Sequence, residues 1–542
     1  MSESVRHGDV ELNASSIAER AAGLVLTGFE ATTAAQAPLE FLSGLAGVAL
    51  FARNVVDARQ TRSLVDDLQS AARNAGRSPL IIAIDEEGGT VSRIGRIGTL
   101  MPSAMALGAG GDPAIARAVY ACIGEEIGAL GVTLDFAPVA DANTNPRNPV
   151  IGTRSFGETP VARTLVPAAV VGLHDSRIAA TAKHFPGHGD ASVDSHKDLP
   201  VIEAGLDRLR SVEFEPFRAA IGAGVDVVMT AHVALPQIDA SGAPATLSRA
   251  VITDLLREEL GYDGVVCTDC MQMEAIAGGY PAGEAAVLAI EAGVDLVTYS
   301  SSIPAAMEAV AAIRDAIRSG RLHADQLERS LARVEALRNR GLKADERPPL
   351  DVIGSAPHRG VALEAARSAI TLVRDQQSIV PLALHEGDEI LVVEFAGAGS
   401  SPVESAGKHQ TSLGALLDER SPARVQTQNL GLDPAELETK QLLTAAASAT
   451  VIVAVTRRAW AHPLQGRAVG GLAMAGKPLV VVAAREPYDA SSAPPTAAVL
   501  AAYGDDHSTI DAVADVLMGK SEPKGRLPVS LVARAAPTSA VS

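Results

Sequence analysis

Short apolar runs recur along roughly the first 340 residues, and each is followed by a polar loop and an amphipathic stretch. Runs of this length, apolar throughout, are typical of strands that are buried on both faces. Eight of them stand at residues 23–29, 47–52, 80–85, 133–139, 179–185, 226–233, 264–269 and 295–300. The intervening stretches 58–75, 112–130, 160–175, 206–223 and 248–260 have the pattern of helices.

Eight strands that alternate with helices predict an α/β fold of the (β/α)8 barrel type. In such barrels the chemistry is carried by the loops that follow the carboxyl ends of the strands. The sequence places polar side chains at these ends: Asp85, Asp141, Lys183, His184, His232 and Asp269. This agreement supports the barrel more strongly than the count of strands does.

A second domain is predicted after the barrel. Helical stretches at 303–319 and 324–340 lead into the polar, proline-containing segment 343–349, and apolar runs start again at 371–373, 389–395, 449–456 and 478–483. We therefore predict a barrel catalytic domain at 1–342, a linker at 343–352 and an α/β sandwich domain with a mainly parallel sheet at 353–542. The stretch 397–412 is rich in Gly and Ser and is predicted to be a loop.

Composition narrows the class of protein. The 542 residues exceed what one hydrophobic core accommodates, which agrees with two domains. The formal net charge of -18 argues against nucleic acid or an anionic membrane as the partner. The first 35 residues lack the pattern of a signal peptide, and no apolar run is long enough to cross a bilayer. We therefore expect a cytoplasmic protein.

The cysteines point to a reducing compartment, because Cys122, Cys267 and Cys270 are too few for a disulfide scaffold. Cys267 and Cys270 form a C-x-x-C pair, which raises the possibility of redox or zinc chemistry. A zinc site of that kind needs a second pair, which the sequence lacks. Two packing thiols beside a strand is the interpretation we favour.

The densest polar segment runs from Lys183 to Asp190 and continues with Asp194-Ser195-His196. Its glycines allow a ligand to approach the backbone closely. A polar loop with a few hydrogen-bonded histidines is one alternative. A metal site is another, with His184, His188, Asp190 and His196 as ligands, although catalytic metals usually draw their ligands from several strands. We favour a substrate site because the segment follows the fifth predicted strand.

Two candidate catalytic groups follow from position. Asp194 stands two residues before His196, so its carboxylate can accept a hydrogen bond from one imidazole nitrogen and leave the other to move a proton. Asp269 ends an apolar strand, which can aim its carboxylate into the mouth of the barrel. Asp also suits the N-cap of a following helix, so position alone leaves cap and catalytic carboxylate equally open.

Two more segments carry candidate binding groups. Asp85 ends the third predicted strand and suits bidentate binding of sugar hydroxyls, whereas the adjacent Glu86 and Glu87 suit a structural role. The stretch 141–157 contains Arg154, which can reach the same site from another loop.

Together these segments resemble glycoside hydrolase family 3, and within it the NagZ-like β-N-acetylglucosaminidases. The resemblance lies in K-H-F-P-G-H-G followed by D-S-H and then G-Y-D-G-V-V-C-T-D, and in the second domain in 477–489 and 524–529. It implies Asp269 as nucleophile, Asp194 with His196 as the acid/base dyad, and a metal-independent mechanism without a cofactor. It also implies a set of sugar-binding residues: Asp85, Arg93, Arg154, Lys183 and His184.

The chain departs from the family pattern in two places. Thr90 follows the double glycine where the family often has Arg, and Cys270-Met271-Gln272-Met273 follows the nucleophile where Ala-Leu is more familiar. Both differences put the substrate preference in doubt. Many relatives use a second-domain glutamate as the acid/base, and the D-S-H segment argues against that arrangement here.

The resemblance implies an exo-acting, retaining β-glycosidase that removes terminal β-linked N-acetylglucosamine or glucose from small glycosides or muropeptide-type sugars. Either water or inorganic phosphate is expected as the acceptor, because an imidazole acid/base does not repel an anion as a carboxylate does. Arg93 or Arg154 is expected to hold the phosphate. One alternative is a strictly hydrolytic β-N-acetylhexosaminidase of cell-wall recycling. Another, of a different class, is a catalytically silent sugar-binding protein.

Overall fold

The structure is a computed structural model that describes residues 16–397, 404 and 410–531. Eight parallel strands close into a barrel, each hydrogen-bonded to its neighbours in chain order, with the eighth returning to the first. The barrel strands are β1 (Val25–Gly28), β2 (Gly47–Leu50), β3 (Ile81–Ile84), β4 (Leu134–Asp135), β5 (Ala179–Phe185), β6 (Val227–Thr230), β7 (Val265–Cys270) and β8 (Leu296–Tyr299). The predicted (β/α)8 barrel is thus confirmed.

Helices surround the barrel because each presents one apolar face to the strands. They are α1 (Leu39–Leu42), α2 (Ala58–Asn74), α3 (Ala104–Gly110), α4 (Pro113–Leu130), α5 (Thr159–Asp175), α6 (Leu206–Ser211), α7 (Phe214–Gly222), the π-helix Ala250–Glu259, α8 (Glu274–Ala277), α9 (Ala282–Ala292), α10 (Ile303–Arg318) and α11 (Ala324–Arg338). Local sequence fixes their ends: Asp112 caps the first turn of α4, and Gly131 ends it with φ 91°.

The second domain is a six-stranded sheet with helices on both faces. Its strands are β9 (Thr371–Arg374), β10 (Glu389–Ala396), β11 (Arg424–Gly431), β12 (Val451–Thr456), β13 (Leu479–Ala483) and β14 (Ala498–Ala501), in the spatial order β9-β14-β13-β12-β10-β11. Only β9 runs antiparallel to its neighbour, so the predicted α/β sandwich with a mainly parallel sheet is confirmed. Its helices are α12 (Ala356–Ala369), α13 (Leu413–Arg420), α14 (Glu436–Ser448), α15 (Pro463–Ala473) and α16 (His507–Leu517).

Two strands of this sheet were not predicted. β11 is an edge strand whose sequence alternates polar side chains with few apolar ones, and β14 is a four-residue run with two alanines. The predicted loop 397–412 falls mostly on 398–403 and 405–409, which lie outside the described residues, as do 1–15 and 532–542.

Helix α12 joins the two domains, since it packs against α3 and α4 of the barrel and against α16 of the second domain. At this junction His358 hydrogen-bonds Glu126 at 2.9 Å. The predicted boundaries at 342 and 353 stay a prediction. No helix in the described part of the chain is long and apolar enough to span a membrane.

Candidate active site

A cavity of about 810 Å³ opens at the carboxyl ends of the barrel strands. Seven of the eight site residues predicted from the sequence line it: Asp85, Arg93, Arg154, Lys183, His184, His196 and Asp269. The eighth, Asp194, is buried behind His196 and hydrogen-bonds its ring. Residues from five separate segments are therefore brought to one place by the closure of the barrel.

Asp269 lies within β7 and does not cap a helix, because the next helix, α8, begins at Glu274 with Met273 as its N-cap. Its Oδ1 accepts a 2.6 Å hydrogen bond from the backbone N–H of Cys270. Burial by itself raises the pKa of Asp269, but the neighbouring imidazoles of His184, His232 and His196 outweigh it and lower that pKa to about 2. Asp269 is therefore an ionised carboxylate at neutral pH.

His232 supports the segment that carries Asp269. Its Nε2 lies 3.0 Å from the carbonyl oxygen of Cys270, which accepts only, so the ring proton sits on Nε2. Its Nδ1 lies 2.7 Å from the Thr246 hydroxyl oxygen. Burial lowers the pKa of His232. The Asp269–Cys270 segment is therefore fastened to the adjacent strand.

Asp194 and His196 form a close pair on the loop after β5. Asp194 Oδ1 accepts from His196 Nδ1 at 2.8 Å and from the His196 backbone N–H at 3.0 Å. The Asp194 side chain is 3% exposed and the His196 side chain 24% exposed. Because Nδ1 is engaged by the carboxylate, Nε2 remains for the cavity that the ring lines.

The opposite wall of the cavity is a buried ion network. Lys183 Nζ donates to Asp85 Oδ1 at 2.8 Å and lies 2.6 Å from Glu87 Oε1. Glu87 also receives two hydrogen bonds from Arg154, at 2.8 and 2.9 Å. Each cation is thus held rigidly by carboxylates, with Asp85 exposed toward the cavity, as binding of sugar hydroxyls requires.

Glu87 is a site residue that the sequence reasoning missed, because it was given only a structural role. Burial by itself raises its pKa, but the charges of Arg154 and Lys183 outweigh burial and hold that pKa well below its ordinary value. The signal available in the sequence was weak, since a glutamate two residues past a strand end is common. Only the closed barrel brings Arg154 and Lys183 to it.

Asp141 organises the loop that carries the histidines. It is fully buried, and its Oδ2 accepts from His184 Nδ1 at 2.6 Å, while its Oδ1 accepts from the backbone N–H of His188 at 2.6 Å. Burial raises its pKa and His184 more than offsets this, so the pKa of Asp141 is lowered. The Nε2 of His184 lies 3.4 Å from Arg154 Nη2, so both ring nitrogens have partners.

Glu86 holds Arg93 in place through the backbone. Its Oε2 accepts from the N–H groups of Arg93 and Ile94 at 2.7 and 3.0 Å, and burial raises its pKa to about 7. The Arg93 guanidinium lies 3.7 Å from Asp85 Oδ2. Glu86 thus has the structural role that the sequence suggested.

The residues considered as metal ligands have separate partners. His188 Nε2 lies 3.1 Å from the Ser195 hydroxyl, and Asp190 pairs with Arg208 at 3.1 Å. Burial lowers the pKa of His188 to about 4. Across 16–397, 404 and 410–531, no three His, Cys, Asp or Glu side chains are grouped as metal ligands.

The two thiols of the C-x-x-C pair do not bond to each other. Cys267 is buried in the barrel interior, and Cys270 Sγ lies 3.0 Å from the Ser300 hydroxyl. This agrees with the packing interpretation.

The second domain reaches the loop that carries Arg154. Glu158 donates its backbone N–H to the carbonyl of Pro528 at 3.0 Å, and Glu158 Oε1 accepts from the N–H of Ser530 at 2.8 Å. Glu486 packs so closely on Gly152 that a Cβ added there would lie 2.4 Å from its Oε1. The loop is therefore clamped between the two domains.

A glutamate of the second domain also lines the cavity. Glu404 is part of its wall, and its Oε1 lies 3.8 Å from Arg485 Nη1. The D-S-H segment argues against an acid/base from the second domain. In the structure the ring of His196 lines the same cavity, and the carboxylate of Asp194 lies directly behind that ring.

Comparison with known proteins places this site in context. Residues 17–337 match the family model described as the glycosyl hydrolase family 3 N terminal domain, and residues 297–540 match the corresponding C-terminal domain. The chain is 35% identical over 386 residues to beta-hexosaminidase A of Pseudoalteromonas piscicida, a match that covers 65% of this chain and 64% of that protein.

Two further comparisons cover more of the chain. It is 28% identical over 508 residues to a beta-N-acetylglucosaminidase/beta-glucosidase of Cellulomonas fimi, with 89% of this chain and 88% of that one covered. A solved structure of a glycoside hydrolase family 3 beta-N-acetylglucosaminidase from Paenibacillus sp. superposes with a TM-score of 0.88 at 36% identity, over 95% of this chain and 99% of that chain.

Proposed function

The chain belongs to glycosyl hydrolase family 3, and we propose that it is a retaining, exo-acting β-glycosidase that removes terminal β-linked N-acetylglucosamine or glucose. One observation carries the proposal: a single cavity contains the ionised carboxylate of Asp269, the imidazole of His196 and a wall of paired charges. The names of the relatives above, which are hexosaminidases and glucosidases, support the choice of sugar.

In the first step, Asp269 attacks the anomeric carbon and the bond to the departing oxygen breaks. His196 delivers its Nε2 proton to that oxygen, and a covalent glycosyl ester of Asp269 results. The low pKa of Asp269 keeps the nucleophile charged, and the Asp194 carboxylate stabilises the imidazolium that precedes proton transfer.

In the second step, the ester is cleaved by an acceptor that attacks from the side of His196. If the acceptor is water, His196 Nε2 takes its proton and free sugar is released. If it is phosphate, no base is needed and a sugar 1-phosphate forms; either route keeps the anomeric configuration. An imidazole leaves the approach of an anion open, which supports phosphate as a co-substrate.

Arg93 and Arg154 both line the cavity, and either of them is proposed as the phosphate ligand. The Arg154 guanidinium already gives two hydrogen bonds to Glu87, so binding phosphate would cost it those partners. Arg93 lies 3.7 Å from its carboxylate neighbour Asp85 and lines the cavity. We propose a cytoplasmic location, where inorganic phosphate is available.

Two alternatives remain to be tested against this proposal. The first is a strictly hydrolytic β-N-acetylhexosaminidase that acts on muropeptide fragments. The second is a catalytically silent sugar-binding protein, for which the same wall of paired charges would suffice.

A product assay tests all three. Aryl β-N-acetylglucosaminide and aryl β-glucoside are each incubated with the enzyme, with and without phosphate, and the sugar products are separated. We expect turnover of at least one substrate, with saturable stimulation by phosphate and a glycosyl phosphate product. Free sugar as the only product would leave the hydrolytic alternative, and no turnover of either substrate would overturn the β-glycosidase proposal.

A further inference from the structure

Gln272 lies three residues beyond the proposed nucleophile, within the segment where the sequence departs from the family pattern. It lines the active-site cavity. Its Oε1 accepts three backbone hydrogen bonds, from the N–H groups of Ser300, Ser301 and Ser302, at 3.0, 3.0 and 3.1 Å. Three N–H donors require an acceptor, so the oxygen and nitrogen of this amide are assigned without ambiguity.

This anchoring fixes the other half of the amide. Because Oε1 is bound to the loop before α10, the plane of the amide group is fixed, and the direction in which Nε2 can donate is fixed with it. Among the residues that the structure describes, Nε2 has no hydrogen-bond partner, yet it is not one of the buried, unpartnered polar atoms. Gln272 therefore presents a rigid N–H donor to the cavity.

The surroundings place this donor on the side of the departing group. The wall that contains Asp85, Arg154 and Lys183 is formed by the loops and strand ends of β3, β4 and β5. Gln272, in contrast, follows β7 and is hydrogen-bonded to the loop after β8. Just beyond Gln272, the N–H of Ala275 donates to the carbonyl of Ser195 at 3.3 Å. The segment that carries Gln272 thus runs from Asp269 to a contact with the loop of His196, and in the proposed function the proton donor stands beside the departing oxygen.

We infer that Gln272 is a specificity-determining residue, whose Nε2 donates a hydrogen bond to an oxygen of a departing sugar. The inference rests on the proposed function and deepens it, because it names the class of leaving group: a saccharide that carries hydrogen-bond acceptors. A rigid donor favours such a group over an aromatic one without acceptors, since a neutral hydrogen bond is worth up to about tenfold in equilibrium or rate.

Two substitutions separate this role from a purely structural one. In Gln272→Glu the carboxylate can still accept the three backbone N–H groups, but the N–H donor is gone. In Gln272→Met both functions are lost without any change of charge. The quantity measured is the ratio of kcat/KM for N,N′-diacetylchitobiose to kcat/KM for phenyl β-N-acetylglucosaminide. Asp263→Asn, at an exposed carboxylate that does not line the cavity, is the control.

We expect both Gln272 variants to lower this ratio by about tenfold and the control to change it by less than about twofold. A ratio that stays at the wild-type value in Gln272→Glu, while Gln272→Met loses both substrates equally, would show that Gln272 only holds the loop and would overturn the inference. If the wild type cleaves neither compound, the ratio is measured instead with cellobiose and phenyl β-glucoside. Cleavage of none of the four compounds would overturn the proposed function and this inference with it. Cleavage of both with an unchanged ratio defeats the inference alone.

Discussion

Two buried networks of charged side chains meet the same barrel loop, one from the cavity and one from the second domain. On the cavity side, Glu87 holds Arg154 and Lys183 at 2.6 to 2.9 Å. On the other side, Glu486 packs on the loop at Gly152. Glu486 lies 3.4 Å from Arg458. Nearby, the carboxylate of Asp489, which is 1% exposed, accepts a hydrogen bond from the backbone N–H of Trp460 at 3.4 Å.

The difference between the networks lies in how burial is offset. Both Glu87 and Asp489 are desolvated, which raises a carboxyl pKa. Around Glu87 two cations outweigh burial, so its pKa is lowered. Around Asp489 burial raises the pKa and the charge of Glu486 adds to it, so the pKa of Asp489 rises to about 7. Pairing with two cations therefore keeps Glu87 ionised at neutral pH, whereas Asp489 at the domain contact has a pKa close to neutral pH.

The largest effect is expected from removing the proposed nucleophile. Asp269→Asn should lower kcat on an aryl β-glycoside by about 10⁴-fold or more, because the covalent step is lost. Its melting temperature should stay close to that of the wild type, since Asn can still accept from the Cys270 N–H. Asp263→Asn, at an exposed carboxylate just before the same strand, is the control and should keep activity. Comparable activity in the two variants would remove Asp269 from the mechanism.

A smaller effect is expected from unpairing the cavity network. Glu87→Gln leaves Lys183 and Arg154 buried with too few carboxylates, which should cost about 3 to 5 kcal/mol of stability and raise KM. Because the pKa of Glu87 is lowered, its contribution is present above the unfolded pKa of about 4.3 and is lost as pH falls. The melting temperature of the variant should therefore depend less on pH in the acidic range.

Its matched control is Glu284→Gln, which breaks an equally bidentate pair with Arg321 at the protein surface. That pair is half exposed, so the loss should be within about 1 kcal/mol. Equal losses of stability in the two variants would show that burial does not increase the contribution of the cavity network to the free energy of unfolding.

The smallest effect is expected at the domain contact, and with the opposite sign. The folded pKa of Asp489 is raised to about 7, so its stabilising contribution is greatest below the unfolded pKa of about 3.9 and falls as pH rises to 7. The free energy of unfolding of the wild type should therefore fall between pH 5 and pH 8, and Asp489→Asn should reduce that fall by about 2 to 3 kcal/mol. Melting temperatures over that range measure it, with Asp418→Asn, at an exposed carboxylate of the same domain, as control. A variant with the wild-type pH slope would contradict the raised pKa.

The barrel was predictable because its strands are uniformly apolar, as in β3, where all four residues are buried. The sheet of the second domain was predictable only in part. β11 is an edge strand with few buried positions, so its sequence lacks the apolar run on which the prediction relied. β14 is buried on both faces but is too short to stand out from the surrounding alanines.

The candidate site followed a similar division. Position at a strand end made Asp85 and Asp269 candidates, and the motif resemblance decided the role of Asp269. All eight predicted residues lie in or directly behind one cavity. Glu87 was given only a structural role and Gln272 none, because the contacts of each depend on partners distant in sequence. Glu87 pairs with residues 67 and 96 positions away, and Gln272 binds backbone groups 28 to 30 positions away.

By itself, the sequence determined which elements form and which side chains stand at their carboxyl ends, since apolar periodicity and local capping act over a few residues. It also contained the order of motifs on which the family resemblance rests. Only the tertiary structure decided which of those side chains are paired, which are left to meet a ligand, and how their pKa values shift. These properties depend on distances of a few ångströms between distant segments, and closure of the barrel and docking of the second domain set those distances.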